Sequence, residues 1–230
     1  MNSWFATPYY QVLYAHRDEA EAAAFVRRIL DHVNLPSPAY GLDAGCGEGR
    51  YARALAKAGL IVDAIDNAVQ YPDLPEGVRF FFEDLNCWQP DRTYHLIGSF
   101  FASLGTSIQR WEDFLRLVQR LASWLQPGGW LIIDYLNIYC CNSKAEETLQ
   151  RAGYTFHIRR WQDAHFLYKQ IEIEGETYLE SLFKLTQGDF YQALARSGLN
   201  VQATWGDYTA TPFLPEESPR LILLAQKPLY

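Results

Sequence analysis

Apolar and polar positions along the chain change period several times, and the changes divide it into elements. From about Asp18 to His32 an alanine-rich spacing predicts a helix, with Asp18 placed to cap its first turn and Leu35-Pro36-Ser37-Pro38 ending it. Short apolar runs near 40–44, 61–65, 78–82, 94–99 and 130–136 then read as strands. Between them lie helical stretches, one carrying Tyr51, Leu55 and neighbouring alanines up to Gly59, another near 110–125. This is the rhythm of a parallel sheet with helices on both faces. Ligands of such sheets bind outside the carboxyl ends of the strands, which is where Gly45, Asp66, Asp84 and Phe100 fall.

The rhythm breaks between about Asn137 and Thr186. Tyr154 to Trp161, Phe166 to Glu174 and Thr177 to Leu185 alternate with the period of strands, and Glu174-Gly175-Glu176 reads as a hairpin turn. Three inserted antiparallel strands are expected, standing beside or above the ligand-bearing edge of the main sheet. A helix near 188–196 and two strands near 200–206 and 220–226 complete the chain. At 230 residues, a single domain with an insertion fits better than two domains. The division expected is a helical arm over 1–34, a core over 35–137 and 187–230, and the insertion over 138–186.

Composition narrows the functional classes. Hydrophobic residues make up 49% of the chain without an apolar run of about 18, so no membrane span is expected. Met1-Asn2-Ser3-Trp4-Phe5 lacks the basic start and apolar stretch of a secretory signal, and a cytoplasmic location is expected. Cys46, Cys87, Cys140 and Cys141 show neither zinc-site nor disulfide-framework spacing; Cys140 and Cys141 read as reduced and partly buried. No metal is expected. A formal net charge of −7 argues against a nucleic-acid substrate, since Arg159-Arg160 forms no basic run.

The most specific chemistry lies in Leu42-Asp43-Ala44-Gly45-Cys46-Gly47-Glu48-Gly49-Arg50, three alternate glycines behind a strand and before a helix. Glycine lets a ligand approach the main chain, and the helix offers unpaired N–H groups at its positive end. The dinucleotide fingerprint wants its third glycine where Arg50 stands, which disfavours a nicotinamide oxidoreductase. The Asp-x-Gly-x-Gly-x-Gly form resembles motif I of the class I S-adenosylmethionine (SAM) dependent methyltransferases. Further matches follow in order. Ile61-Val62-Asp63-Ala64-Ile65-Asp66 resembles the second strand, whose terminal acid in that family holds the ribose hydroxyls of SAM. Arg79-Phe80-Phe81-Phe82-Glu83-Asp84-Leu85 resembles the third strand, where an Asp accepts from the adenine amino group. Pro127-Gly128-Gly129 matches the turn before the fifth strand. Phe100-Phe101-Ala102-Ser103-Leu104-Gly105, Gly206-Asp207-Tyr208, Pro212-Phe213 and Ser218-Pro219-Arg220-Leu221-Ile222-Leu223 resemble segments of a bacterial small-molecule group within the family. Thr106, His95 and Ala102 depart from that group's pattern.

The resemblance implies a Rossmann-like, seven-stranded, mostly parallel sheet with helices on both faces, an antiparallel C-terminal strand pair and an inserted antiparallel β lid. It implies SAM as cofactor, with Asp43, Gly45, Cys46, Gly47, Gly49, Asp66, Asn67, Asp84, Leu85 and Phe100 as its contacts. Arg17 on the arm joins them, because a planar guanidinium can bind the carboxylate of SAM with two parallel hydrogen bonds. The function implied is methyl transfer to a nitrogen or oxygen atom of a small molecule, the alternative being a catalytically inactive SAM-binding regulator. In-line displacement at a sulfonium rests on holding the reacting groups together in a dry pocket. Where the acceptor must lose a proton, Tyr14, His157 and His165 are the candidate bases. A small-molecule partner is expected, and a homodimer is compatible with the sequence.

Overall fold

The computed structural model describes residues 4–70, 72–140 and 146–230, and Cys141, whose reduced and partly buried state the sequence suggested, lies outside them. Its main sheet is built on β1 (Tyr40–Ala44), which pairs in parallel with β2 (Ile61–Asp66) on one side and β4 (Tyr94–Ser99) on the other. β3 (Arg79–Phe82) extends the sheet beyond β2, and β5 (Leu125–Leu136) extends it beyond β4. With β10 (Asn200–Trp205) and β11 (Arg220–Gln226) antiparallel at the end, the seven strands run β10-β11-β5-β4-β1-β2-β3. The chain therefore reverses its direction of growth between β1 and β4, and a crevice opens at such a switch point.

The parallel strands are buried on both faces, as their near-continuous apolar runs require. On one face α4 (Trp111–Trp124) and α5 (Gln187–Arg196) cover the sheet through Phe114, Leu117, Leu121, Phe190 and Leu194. On the other, α2 (Glu19–His32) and α3 (Arg50–Lys57) bring Phe25, Ile29 and Leu55 against Val62 and Ala64. Asp18 caps α2 as expected, its carboxylate accepting from the Glu21 amide at 2.8 Å. The Pro127-Gly128-Gly129 turn is absorbed into β5 as a bulge: pairing with β4 jumps from Tyr94↔Leu125 to Leu96↔Trp130. Gly128, at φ 78°, makes that detour possible.

The insertion holds four strands and not three. β6 (Glu146–Arg151), β7 (Tyr154–Gln162), β8 (Phe166–Ile173) and β9 (Glu176–Phe183) form a second antiparallel sheet in that order. Sequence periodicity passes over β6 because its inward positions, Glu147, Leu149 and Arg151, carry one apolar side chain among two charges. The inner face of this sheet meets the N-terminal arm, where Trp4 and Leu13 join Phe156, Ile158, Ile171 and Ile173 in a separate small core. The arm itself contains α1 (Pro8–Leu13), ahead of the helix that the sequence predicts from about Asp18. Six residues are too few to show a helical period, but Thr7 caps them by accepting from the Tyr10 amide at 3.2 Å, and Pro8 occupies the first turn. Among the described residues no helix is long and apolar enough to cross a membrane.

Candidate active site

A cavity of about 500 Å³ opens at the carboxyl ends of β1, β2 and β4, roofed by the arm. Its floor is the glycine loop. Gly45 adopts φ 79°, and a Cβ there would stand 2.7 Å from the Ser103 side chain. Gly47 is also left-handed, at φ 51°, but a Cβ there would meet no atom within 4 Å, so bare main chain faces the open cavity. A flat ligand can rest against the backbone at that point.

Asp66, at the tip of β2, is held in place by main-chain donors. One carboxylate oxygen accepts from the Gly47 amide at 2.8 Å, the other from Ala68 at 2.7 Å and Val69 at 3.0 Å. A carboxylate offers about four acceptor positions, so one remains, aimed from the cavity wall. Asp84 is exposed on the turn after β3, where its oxygen accepts from the Asn86 amide at 2.8 Å and Asn86 Nδ2 at 3.0 Å. Asn67 and Leu85 line the cavity beside these carboxylates, as does Cys46, whose thiol burial pushes up and keeps protonated. Asp43 lies beneath the loop. It is 1% exposed, neither oxygen has a full hydrogen bond, and burial pushes its pKa up to about 7 despite the Ala52 amide.

Arg17 lines the cavity from the arm. Its Nη1 pairs with Glu21 at 2.8 Å, its Nε is buried without a partner, and its guanidinium stacks on Phe101 and Tyr208 at 5.5 and 5.4 Å from the ring centres. Phe100 lines the cavity although it is only 2% exposed, and it stacks on Tyr51 at 4.2 Å. The neighbouring Phe101, half-buried, lines the cavity as well.

Of the three candidate bases, one reaches the cavity. His157 is exposed on the outer face of the second sheet, bonded to Thr148 at 3.1 Å, and His165 is exposed in the turn between β7 and β8. Strand alternation sends His157 away from the inner face that Phe156 and Ile158 occupy. Tyr14 lines the cavity, its hydroxyl 3.1 Å from both Glu180 oxygens and 2.7 Å from Lys169 Nζ. Burial and the Glu180 carboxylate hold this phenol well above its ordinary range, and its hydroxyl donates to that carboxylate.

Periodicity did not find Phe101, which lines the cavity, or Glu180 and Lys169, which meet the cavity-lining Tyr14. A signal for two of them exists. Arg160, Lys169 and Glu180 sit in register across β7, β8 and β9, on the inward parity that otherwise holds Phe156, Ile158 and Ile171. Charges at core parity mark a polar site.

Residues 14–204 match the family model described as a methyltransferase domain. No curated protein matches the sequence. Among solved structures, an S-adenosylmethionine-dependent methyltransferase from Clostridium acetobutylicum aligns at a TM-score of 0.80 with 15% identity, covering 96% of each chain. A SAM-bound amino pentose methyltransferase from Micromonospora echinaspora aligns at 0.75 with 17% identity, covering 96% of this chain and 97% of the other. A sugar N-methyltransferase from Streptoalloteichus aligns at 0.72 with 16% identity, covering 95% and 92%.

Proposed function

The chain belongs to the methyltransferase domain family, and from that premise we propose that it transfers the methyl group of SAM to a nitrogen or oxygen atom of a small molecule lying between the cavity and the second sheet. The observation that carries this reading is the convergence of open Gly47 main chain, Asp66 and the Asp84 turn on one cavity at the switch point. When bound, SAM supplies an electrophilic methyl group on a sulfonium. Asp66 offers its remaining acceptor position to the ribose hydroxyls, sharing the oxygen that meets Gly47. Asp84 and Leu85 border the base, and Arg17, which lines the cavity from the arm, meets the carboxylate end.

The residues of this chain hold and shield more than they transfer protons. No histidine lines the cavity among the described residues, and Tyr14 stays protonated, so an acceptor that arrives neutral needs only placement. The inward rung of Arg160, Lys169 and Glu180 reads polar groups of that acceptor, with Tyr14 between it and the cavity. The fold shared with amino pentose and sugar N-methyltransferases makes amino-bearing sugars the first compounds to try. Turnover separates this reading from that of an inactive SAM-binding regulator.

Titration calorimetry tests the binding half of the proposal. S-adenosylhomocysteine (SAH) is expected to bind with NAD and ATP far weaker, and Asp66→Ala is expected to cost about 1.5–3 kcal/mol, the scale of hydrogen bonds to a charged group. Unchanged affinity in that variant removes Asp66 from the site. Methyl transfer from radiolabelled SAM to any member of an amine and alcohol panel decides between enzyme and regulator.

A further inference from the structure

The turn after β4 carries two consecutive residues in the left-handed region, Phe101 at φ 57° and Ala102 at φ 60°, and neither is glycine. Side chains rarely adopt that conformation, so the surroundings must impose it. They do so through one residue, whose carboxylate holds Phe101 and whose main chain holds Ala102. Asp134, fully buried in β5, accepts from the Phe101 amide at 2.7 Å, and its main-chain carbonyl accepts from the Ala102 amide at 2.9 Å. The oxygen that holds Phe101 also takes the Tyr208 hydroxyl at 2.8 Å, while the other pairs with Arg220 Nε at 2.8 Å and Nη2 at 2.7 Å. Asp134 thus joins the turn to the segment after β10 and to the first residue of β11. None of Asp134, Tyr208 and Arg220 lines the cavity.

What the turn presents is the Phe101 ring. Tyr14 meets it edge-on at 5.3 Å, and the guanidinium groups of Arg17, Arg50 and Arg220 lie 5.5, 6.0 and 5.7 Å from its centre. The arm and the first residue of α3 therefore meet at this ring. We infer that Asp134 is a positioning residue for the cofactor site: by holding the left-handed turn it fixes the Phe101 ring as the post on which Tyr14 and Arg17 close over the cavity. The inference rests on the reading that SAM occupies that cavity. It gives the buried Asp134–Arg220 pair a role beyond joining two strands, since its loss would release the post and leave the sheet pairing of β5 and β11 in place.

SAH titration of the full chain, with limited proteolysis of residues 4–17, tests this. Asp134→Asn keeps the shape of the side chain and replaces one acceptor oxygen by a donor. It is expected to weaken SAH by about tenfold, equivalent to about 1.4 kcal/mol, and to leave the arm open to protease at saturating SAH. Ala102→Gly in the same background gives the left-handed turn a residue that adopts it unaided. Most of the SAH affinity is then expected to return, while the melting temperature stays depressed because Arg220 still lacks its carboxylate. An Asp134→Asn protein that binds SAH like the wild type overturns the inference. So does a glycine that restores nothing, which would mark Asp134 as a counter-charge alone. Should Asp134→Asn fail to fold, Tyr208→Phe removes a single donor from the same oxygen and leaves the Arg220 pair; about threefold weaker SAH is expected, the effect of one hydrogen bond, and unchanged affinity overturns the inference. A wild-type protein that does not bind SAH overturns the cofactor reading first and this inference with it.

Discussion

At the scale of single residues, Asp43 makes the sharpest statement. Burial raises its pKa from 3.8 to about 7, so the folded chain holds a proton there that the unfolded chain has already lost. The resulting contribution to stability is complete below about pH 4, declines as pH rises, and is spent above about pH 7. Asp43→Asn does not titrate, so its stability relative to wild type should rise across that window by about 1.4 kcal/mol per pH unit at most and then level off. Urea unfolding of both proteins at pH 4 and pH 8 checks this, and a constant difference would place the titrating group elsewhere. Glu180 supports a second expectation. It takes hydrogen bonds from Trp4 Nε1 at 2.5 Å and from the Tyr14 hydroxyl, so Glu180→Ala leaves both donors short of an acceptor and Lys169 without its counter-charge. A loss of about 2–3 kcal/mol in urea unfolding is expected. Residues that act through the main chain were legible in the sequence: Gly45, Gly47 and Asp66 are tied to strand ends, and strand ends can be read from apolar runs. Glu180, Lys169 and Phe101 were not, because their roles come from pairing between distant strands and from a turn geometry that no glycine announces.

Elements behave differently from residues here, since the second sheet and the arm share one core. Among the described residues, Trp4 and Leu13 share one small core with the inner face of β6 to β9 and their own neighbours on the arm. Replacing residues 146–183 by a short Gly-Ser linker should therefore cost more than acceptor recognition. The arm should become a protease substrate in that variant even at saturating SAH, while it is protected in the wild type. Equal protection in both would show that the arm docks on the main sheet by itself. The parallel strands and the helices α2 to α5 were readable from period alone, because each presents an apolar face or run to one of the two large cores. β6 and α1 escaped for opposite reasons: the first spends its inward positions on charges, and the second is shorter than two helical turns.

For the molecule as a whole, ligand binding and stability are one quantity. A ligand that binds only the folded chain adds about 2.7 kcal/mol at a concentration of one hundred times its dissociation constant. For a chain of this size that corresponds to roughly 5–10 °C in melting temperature, taking about 2–4 °C per kcal/mol. SAH should produce this shift and NAD should not; the reverse result would reinstate the dinucleotide reading that Arg50 argues against. The parallel sheet with helices on both faces followed from the order of apolar runs, and its seven-stranded form from the family resemblance. The contact between arm and second sheet did not, because it joins residues as far apart as Trp4 and Glu180. That separation also bears on biosynthesis. During translation Trp4, Tyr14 and Leu13 emerge long before the strands that cover them, so on the ribosome the arm has nothing to bind until residues beyond 180 are outside the exit tunnel. The arm is then among the last segments to find its place, and a nascent protein stalled after β5 would carry a complete glycine loop while its arm is still exposed to chaperones.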